Sequence, residues 1–201
     1  MSSEGAPERI LIVGGMGTGK TTLARRIAAA SKVPLHHLDD LAYPEGTGSS
    51  ASPYDLRQAA VRIAESPRWV AEGIHLGWTD PLLRAADVIL WLDHVQWKQA
   101  SGRVLRRFVS GAMAEARRQQ GARRFLRLRD YARQLRELAV AIPATRRYEG
   151  HLDPTFSAGE EVSRPSRVAT AARLAQYGDK VIRCRTHADV KAALRRIAPT
   201  A

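Results

Sequence analysis

Short apolar runs alternate along this chain with stretches whose apolar residues recur every three or four positions. Arg9 to Val13 is a continuous apolar run ending in glycines, which predicts a central strand buried on both faces. From Lys20, residues Leu23, Ala24, Ile27 and Ala28 fall on one face of a predicted helix, and Val33 to Leu38 then predicts a second strand followed by Asp39 and Asp40. The Gly-, Ser- and Pro-rich segment Pro44 to Ser52 predicts a loop. Ser52 as N-cap and Pro53 in the first turn open a helix to about Glu65.

The alternation continues. Arg68 to Glu72 predicts a third strand, Thr79 to Ala86 a short helix and Asp87 to Asp93 a fourth strand. Val95 to Ser110 and Ala112 to Ala141 predict long Arg-rich helices, and Glu149 to Pro165 a loop. A helix over Ser166 to Tyr177, a fifth strand over Lys180 to Cys184 and a helix over His187 to Ile197 complete the chain. Strands and helices in strict alternation predict an α/β fold, a parallel sheet covered on both faces with ligands at the carboxyl ends of its strands.

Composition narrows the picture. A length of 201 residues with 44% hydrophobic and 26% charged residues predicts one folded domain over 1–201 and excludes a disordered or fibrous chain. No apolar run approaches the roughly 18 residues of a spanning helix, and Met1 to Pro7 lacks a basic-then-apolar leader pattern. The single cysteine, Cys184, cannot form an internal disulfide, and its place in an apolar strand reads as that of a small buried hydrophobe. A protein of the reducing cytoplasm, without membrane partners, is the expectation.

The formal net charge is +12, and its distribution is uneven. Residues 103–147 hold 13 Arg and no Lys against Glu115, Asp130 and Glu137, which places +10 of that charge in one segment. Such a segment reads either as a lid over an anionic substrate or as a track along nucleic-acid phosphates. Its aromatics, Phe108, Phe125 and Tyr131 with Tyr148 just beyond, are few beside the repeated stacking platforms of single-strand binders, which ranks nucleic acid second.

The decisive motif is Gly14-Gly15-Met16-Gly17-Thr18-Gly19-Lys20-Thr21, which satisfies G-x-x-x-x-G-K-[ST] between a predicted strand and a predicted helix. Glycines let the backbone N–H groups close around phosphate oxygens, and the helix N-terminus adds a favourable dipole. Gly14 to Thr22 are therefore the expected ATP-binding residues, with Lys20 on the β- and γ-phosphates and Thr21 offering its hydroxyl to Mg²⁺.

Carboxylates stand at three predicted strand ends: Asp39 with Asp40, Glu72 and Asp93. Phosphoryl transfer needs an acid near the metal and one near the acceptor hydroxyl. Glu72 is the expected metal-side acid and Asp39 or Asp40 the acceptor-side acid, whereas Asp93 is expected to cap the following turn. Trp69 and Trp91 read as core residues, His36 and His37 as strand residues, and His75 as structural. Trp78 and Trp97 lie near the active edge, where either ring could stack on an acceptor.

These residues resemble the adenylate-kinase-like P-loop kinases, and most closely the family labelled DNA topology modulation protein. The likeness runs over most of Arg9 to Arg107. It is carried by RILIVGGMGTGKTTLARRIA from Arg9, VPLHHLDDL from Val33, RWVAEGIHLG from Arg68 and ADVILWLD from Ala86, with RVLRR following at Arg103. The resemblance implies a five-stranded parallel sheet in the nucleoside-kinase strand order, ATP and Mg²⁺ as ligands, and transfer to a small acceptor.

Carried over, Gly14, Gly19, Lys20 and Thr21 match the phosphate loop, Asp39 and Glu72 the two acids, and Arg103, Arg106 and Arg107 the lid-side arginines. The last three have i, i+3, i+4 spacing and so share one helix face. Where the family ends its third strand Asp-Gly-Asn, this chain has Glu72-Gly73-Ile74, a longer acid and no amide. The expected activity is that of a kinase for a small hydroxylated or phosphorylated acceptor, nucleoside monophosphates included. The alternative is a nucleic-acid-binding ATPase that uses residues 103–147.

Overall fold

The computed structural model describes residues 7–44, 51–73, 75–94, 99–102, 105–106, 110, 139, 143, 146, 148 and 166–198. Five strands form one parallel sheet: β1 (Arg9–Gly14), β2 (Leu35–His37), β3 (Trp69–Glu72), β4 (Val88–Leu92) and β5 (Val181–Cys184). Their order across the sheet is β2-β3-β1-β4-β5, so the strand carrying the glycine motif is central and flanked by the strands that end at Glu72 and Leu92.

The helices are α1 (Lys20–Ser31), α2 (Leu38–Ala42), α3 (Pro53–Glu65), α4 (Asp80–Ala85), α5 (Arg167–Ala175) and α6 (His187–Ile197), with a 3₁₀ turn at Gly178–Lys180. Side chains alternate across the sheet, and each face has its own core. Leu11, Val13, Trp69, Ala71, Ile89 and Trp91 pack with Leu56 and Ile63 of α3 and Leu82 and Leu83 of α4. Ile10, Ile12, Val70, Leu90 and Leu92 pack on the opposite face with Leu23 and Ile27 of α1 and Leu194 and Ile197 of α6. Continuous apolar strands are what two covered faces require.

Local signals account for most helix ends. The Ser52 hydroxyl accepts from the Asp55 amide at 3.1 Å to start α3 where expected, and Ser166 does the same for α5 through the Ala169 amide. Thr186 and Asp189 form a reciprocal capping box at α6.

The second strand is shorter than its apolar run. Leu38 opens α2 rather than ending β2, because Asp39 and Asp40 in the first turn complement the positive end of that helix. Lys180 closes the 3₁₀ turn instead of starting β5. Most of the expected Arg-rich helices, with Arg103, Arg107 and Trp97, lie outside the described residues, as does the loop expected over 149–165. Among the described residues no helix is long and apolar enough to cross a membrane.

Candidate functional site

Strand β1 runs into a loop over Gly14 to Gly19 that turns directly into α1. Gly17 and Gly19 have φ of +74° and +93°, the left-handed region that glycine enters without steric cost. The loop is also hemmed in: a Cβ on Gly15 would lie 2.7 Å from Cδ1 of Tyr148, and one on Gly17 2.8 Å from the Ala100 carbonyl oxygen. Ala100 and Tyr148, which meet this loop, stand on either side of the Arg-rich segment in the sequence. Tyr148 is buried, and the Trp91 indole N–H donates to its hydroxyl at 3.2 Å, tying the ring to β4.

The Gly15 carbonyl accepts from Lys20 Nζ at 3.0 Å and from the Thr18 hydroxyl at 2.8 Å. Desolvation lowers the pKa of the Lys20 ammonium, while the charges of Glu72 and Asp39 oppose that shift. Lys20 is thus a part-buried cation held at the start of a helix. Met16 and Thr22 are exposed on this loop and helix.

Glu72 ends β3 with its side chain 5% exposed. Its Oε1 accepts from the Thr21 hydroxyl at 3.0 Å and lies 2.8 Å from His37 Nδ1. The sheet register explains the second contact, because His37 and Glu72 are paired on adjacent parallel strands. Glu72 is likewise paired with Ile12, two residues before the loop begins.

Asp39, in the first turn of α2, lies with Oδ1 2.7 Å from His75 Nε2. Hydrogen bonding to His75 is the main cause that holds its carboxyl below the usual range, with His75, Lys20 and His37 adding favourable charge against the cost of desolvation. The His75 ring is set between Trp78 and Tyr43, at centroid separations of 5.3 and 6.2 Å, and its backbone carbonyl accepts from the Thr79 hydroxyl. Asp40 is exposed.

Asp93, expected only to cap a turn, is an ion-pair centre. Its carboxylate is buried between two arginines, with Arg167 Nε 2.6 Å from one oxygen and Arg183 Nη2 2.6 Å from the other. Arg183 also lies over the Trp91 ring at 4.1 Å. The acid is consumed in bracing β4, β5 and α5.

The loop, Lys20, Thr21 and Glu72 thus lie together at the carboxyl end of the sheet, with Asp39 close enough for its charge to act on Lys20. Arg106 is exposed, and no described contact ties it to them. His37, His75 and Tyr148 were not among the expected site residues. His75 alone carried a signal, its place three residues after Glu72.

A family model described as ATPase family associated with various cellular activities (AAA) matches residues 10–156. The chain belongs to the AAA family. That match spans the phosphate loop, Asp39 and Glu72, and its P-loop NTPase fold implies nucleotide binding.

Three solved structures are similar in chain path. A shikimate kinase from Bacteroides thetaiotaomicron is 15% identical, with 96% of this chain and 97% of that one covered at a TM-score of 0.44. A gluconokinase from Sinorhizobium meliloti 1021 is 19% identical, with 86% and 94% covered at 0.42. A sugar kinase from Janibacter is 18% identical, with 96% and 97% covered at 0.40. No curated protein matches the chain.

Proposed function

We propose that this chain is an ATP- and Mg²⁺-dependent phosphotransferase acting on a small hydroxylated or phosphorylated acceptor. The observation that carries the reading is the hydrogen bond from Thr21 to Glu72, which joins the last residue of the phosphate motif to an acid on the neighbouring strand. Beside it, Asp39 supplies a second, separately held carboxylate. Two acids with different partners suit two tasks, one at the metal and one at the acceptor.

The donor set fits Mg²⁺. Thr21 and Glu72 offer a hydroxyl and a carboxylate, hard oxygen donors, and among the described residues no group of three or more His, Cys, Asp or Glu side chains forms a dedicated cage. Bound there with ATP, Mg²⁺ supplies charge neutralisation of the phosphoryl oxygens. Glu72 is kept in place by His37, and Thr21 by the first turn of α1.

Lys20 exchanges the Gly15 carbonyl for phosphate oxygens, a stronger partner for a part-buried cation. Gly17 and Gly19 keep the loop backbone close to those oxygens. Asp39 orients the acceptor hydroxyl, whose oxygen forms a bond to the γ-phosphorus as the bond from that phosphorus to the β–γ bridging oxygen breaks and ADP leaves. The hydroxyl proton passes to Asp39 and on to water. Arg103, Arg106 and Arg107, from the segment 103–147 that we read as a lid or insertion within one domain, neutralise charge on the transferring group.

The test is acceptor-dependent ADP release with Mg-ATP from the wild-type chain and from Lys20→Ala. Release that requires both an acceptor and Lys20 supports the reading. Turnover unchanged in Lys20→Ala contradicts it.

A further inference from the structure

The stretches of chain that carry the acids of the acceptor-side edge bring no cation of their own. There are two, the one that leaves β2 through α2 and the one that leaves β3 toward α4. Neither residues 33–56 nor residues 69–83 contain a single Lys or Arg, while they hold Asp39, Asp40, Glu45, Asp55, Glu72 and Asp80. Lys20, whose charge acts on Asp39, is committed to phosphate in the reading above. Asp80 is paired with Arg173, but an anionic acceptor beside Asp39 or Asp40 would meet carboxylates with no guanidinium or ammonium from these segments to offset them, and like charges at contact are strongly unfavourable.

What this edge does offer is a carboxylate and aromatic faces. His75 holds Asp39 through Oδ1 at 2.7 Å, and among the described residues Oδ2 has no partner. The His75 ring lies between Trp78 and the exposed ring of Tyr43. Trp78, expected to be able to stack on an acceptor, is instead 4% exposed and packed in the core behind the His75 ring; among the described residues its indole N–H has no hydrogen-bond partner.

A carboxylate that accepts from hydroxyls, beside the exposed flat ring of Tyr43, matches one ligand chemistry, a neutral ring bearing several hydroxyls. We propose that Asp39, Tyr43 and His75, with Trp78 packed behind the His75 ring, form the acceptor subsite and select an uncharged polyhydroxylated ring of the sugar or cyclic-polyol class over its carboxylated or phosphorylated counterparts. His75 is the positioning residue. By occupying Oδ1 it turns the other carboxylate oxygen to the acceptor hydroxyl and fixes which one is phosphorylated. The transfer is the one written above: the hydroxyl oxygen bonds to the γ-phosphorus, ADP departs, and the proton leaves through Asp39.

This rests on the phosphotransferase reading, and the experiment separates the two. ADP release with Mg-ATP is measured for matched acceptors sharing a carbon skeleton: a hexose with its aldonate and its 6-phosphate, a cyclic polyol with its carboxylate, and a nucleoside with its monophosphate. The expected result is a kcat/KM at least about tenfold higher for the neutral member of the sugar or polyol sets, as an unpaired buried charge implies. His75→Phe, which keeps a ring against Trp78, lowers kcat for the acceptor at least about tenfold while KM for ATP moves less than about twofold; His75→Gln, which restores an N–H toward Asp39, recovers most of the loss.

Preference for an anionic member, or equal losses in His75→Phe and His75→Gln, overturns the subsite and leaves the kinase reading standing. No acceptor-dependent release with any pair overturns both.

Discussion

The hydroxyl of Thr21 donates to Oε1 of Glu72 at 3.0 Å, joining two residues 51 positions apart, and His37 lies against the same oxygen. Glu72→Gln keeps an acceptor for Thr21 but removes the charge, and Glu72→Ala leaves both Thr21 and His37 without it. Both variants are expected to raise the Mg²⁺ concentration needed for half-maximal turnover and to lower kcat by about 10- to 100-fold or more, with Ala worse than Gln. His37→Ala, which loosens the carboxylate without removing it, is expected to lose about tenfold. Mg²⁺ titrations of each variant at fixed ATP check the order.

The phosphate loop is enclosed by residues far from it in sequence. Gly17→Ala forces an alanine to φ +74° and drives its Cβ onto the Ala100 backbone. The left-handed conformation alone costs about 1–2 kcal/mol, so ATP affinity is expected to fall by tenfold or more. Gly15→Ala meets the Tyr148 ring instead, a side chain. The double variant with Tyr148→Ala is therefore expected to recover ATP binding that Gly15→Ala loses, whereas no companion substitution rescues Gly17→Ala. Nucleotide titration calorimetry reads both.

Asp39 sets a pH dependence. Its carboxyl is held below the ordinary range first by His75 and further by the charges of Lys20 and His37. A group with a depressed folded pKa stays ionised as pH falls past its ordinary value and is lost only through the lower one. The acid limb of acceptor-dependent kcat/KM is therefore expected below the usual carboxylate titration. His75→Phe moves that limb upward, and a limb unmoved by the substitution argues that another group sets it.

Cys184 is buried in β5, and burial, with Asp189 nearby, pushes its thiol up to about 11. At pH 8 roughly one molecule in a thousand then carries the thiolate that reacts with disulfide reagents. Native protein is expected to label very slowly, and protein in denaturant at once. Rapid labelling under native conditions contradicts the burial of this strand.

How much of this was legible in the sequence depended on distance along the chain. Gly14 to Thr21 and the end of β3 at Glu72 are local patterns, a glycine spacing and an apolar run with an acid at its edge, and both stand where the pattern puts them. The start of α3 at Pro53 follows from Ser52 alone. The limits of β2 did not, because an apolar run cannot show that Leu38 leaves the sheet to begin a helix. The partners of the acids were hidden for the same reason. His37 meets Glu72 only because β2 is the neighbour of β3, and His75 meets Asp39 only once both strands have turned at the same edge. Asp93 looked like Asp39 in sequence, and only the arrival of Arg167 and Arg183 from distant elements made it a brace.

The central claim is that the Lys20 site transfers phosphate to a small acceptor. The most direct measurement is ADP release from Mg-ATP across neutral and anionic hydroxylated acceptors, with Lys20→Ala alongside. The account predicts release that depends on an acceptor and is lost in Lys20→Ala. Release that survives in Lys20→Ala contradicts it outright, and release that is slow and indifferent to every acceptor contradicts it in favour of an ATPase acting on nucleic acid through residues 103–147.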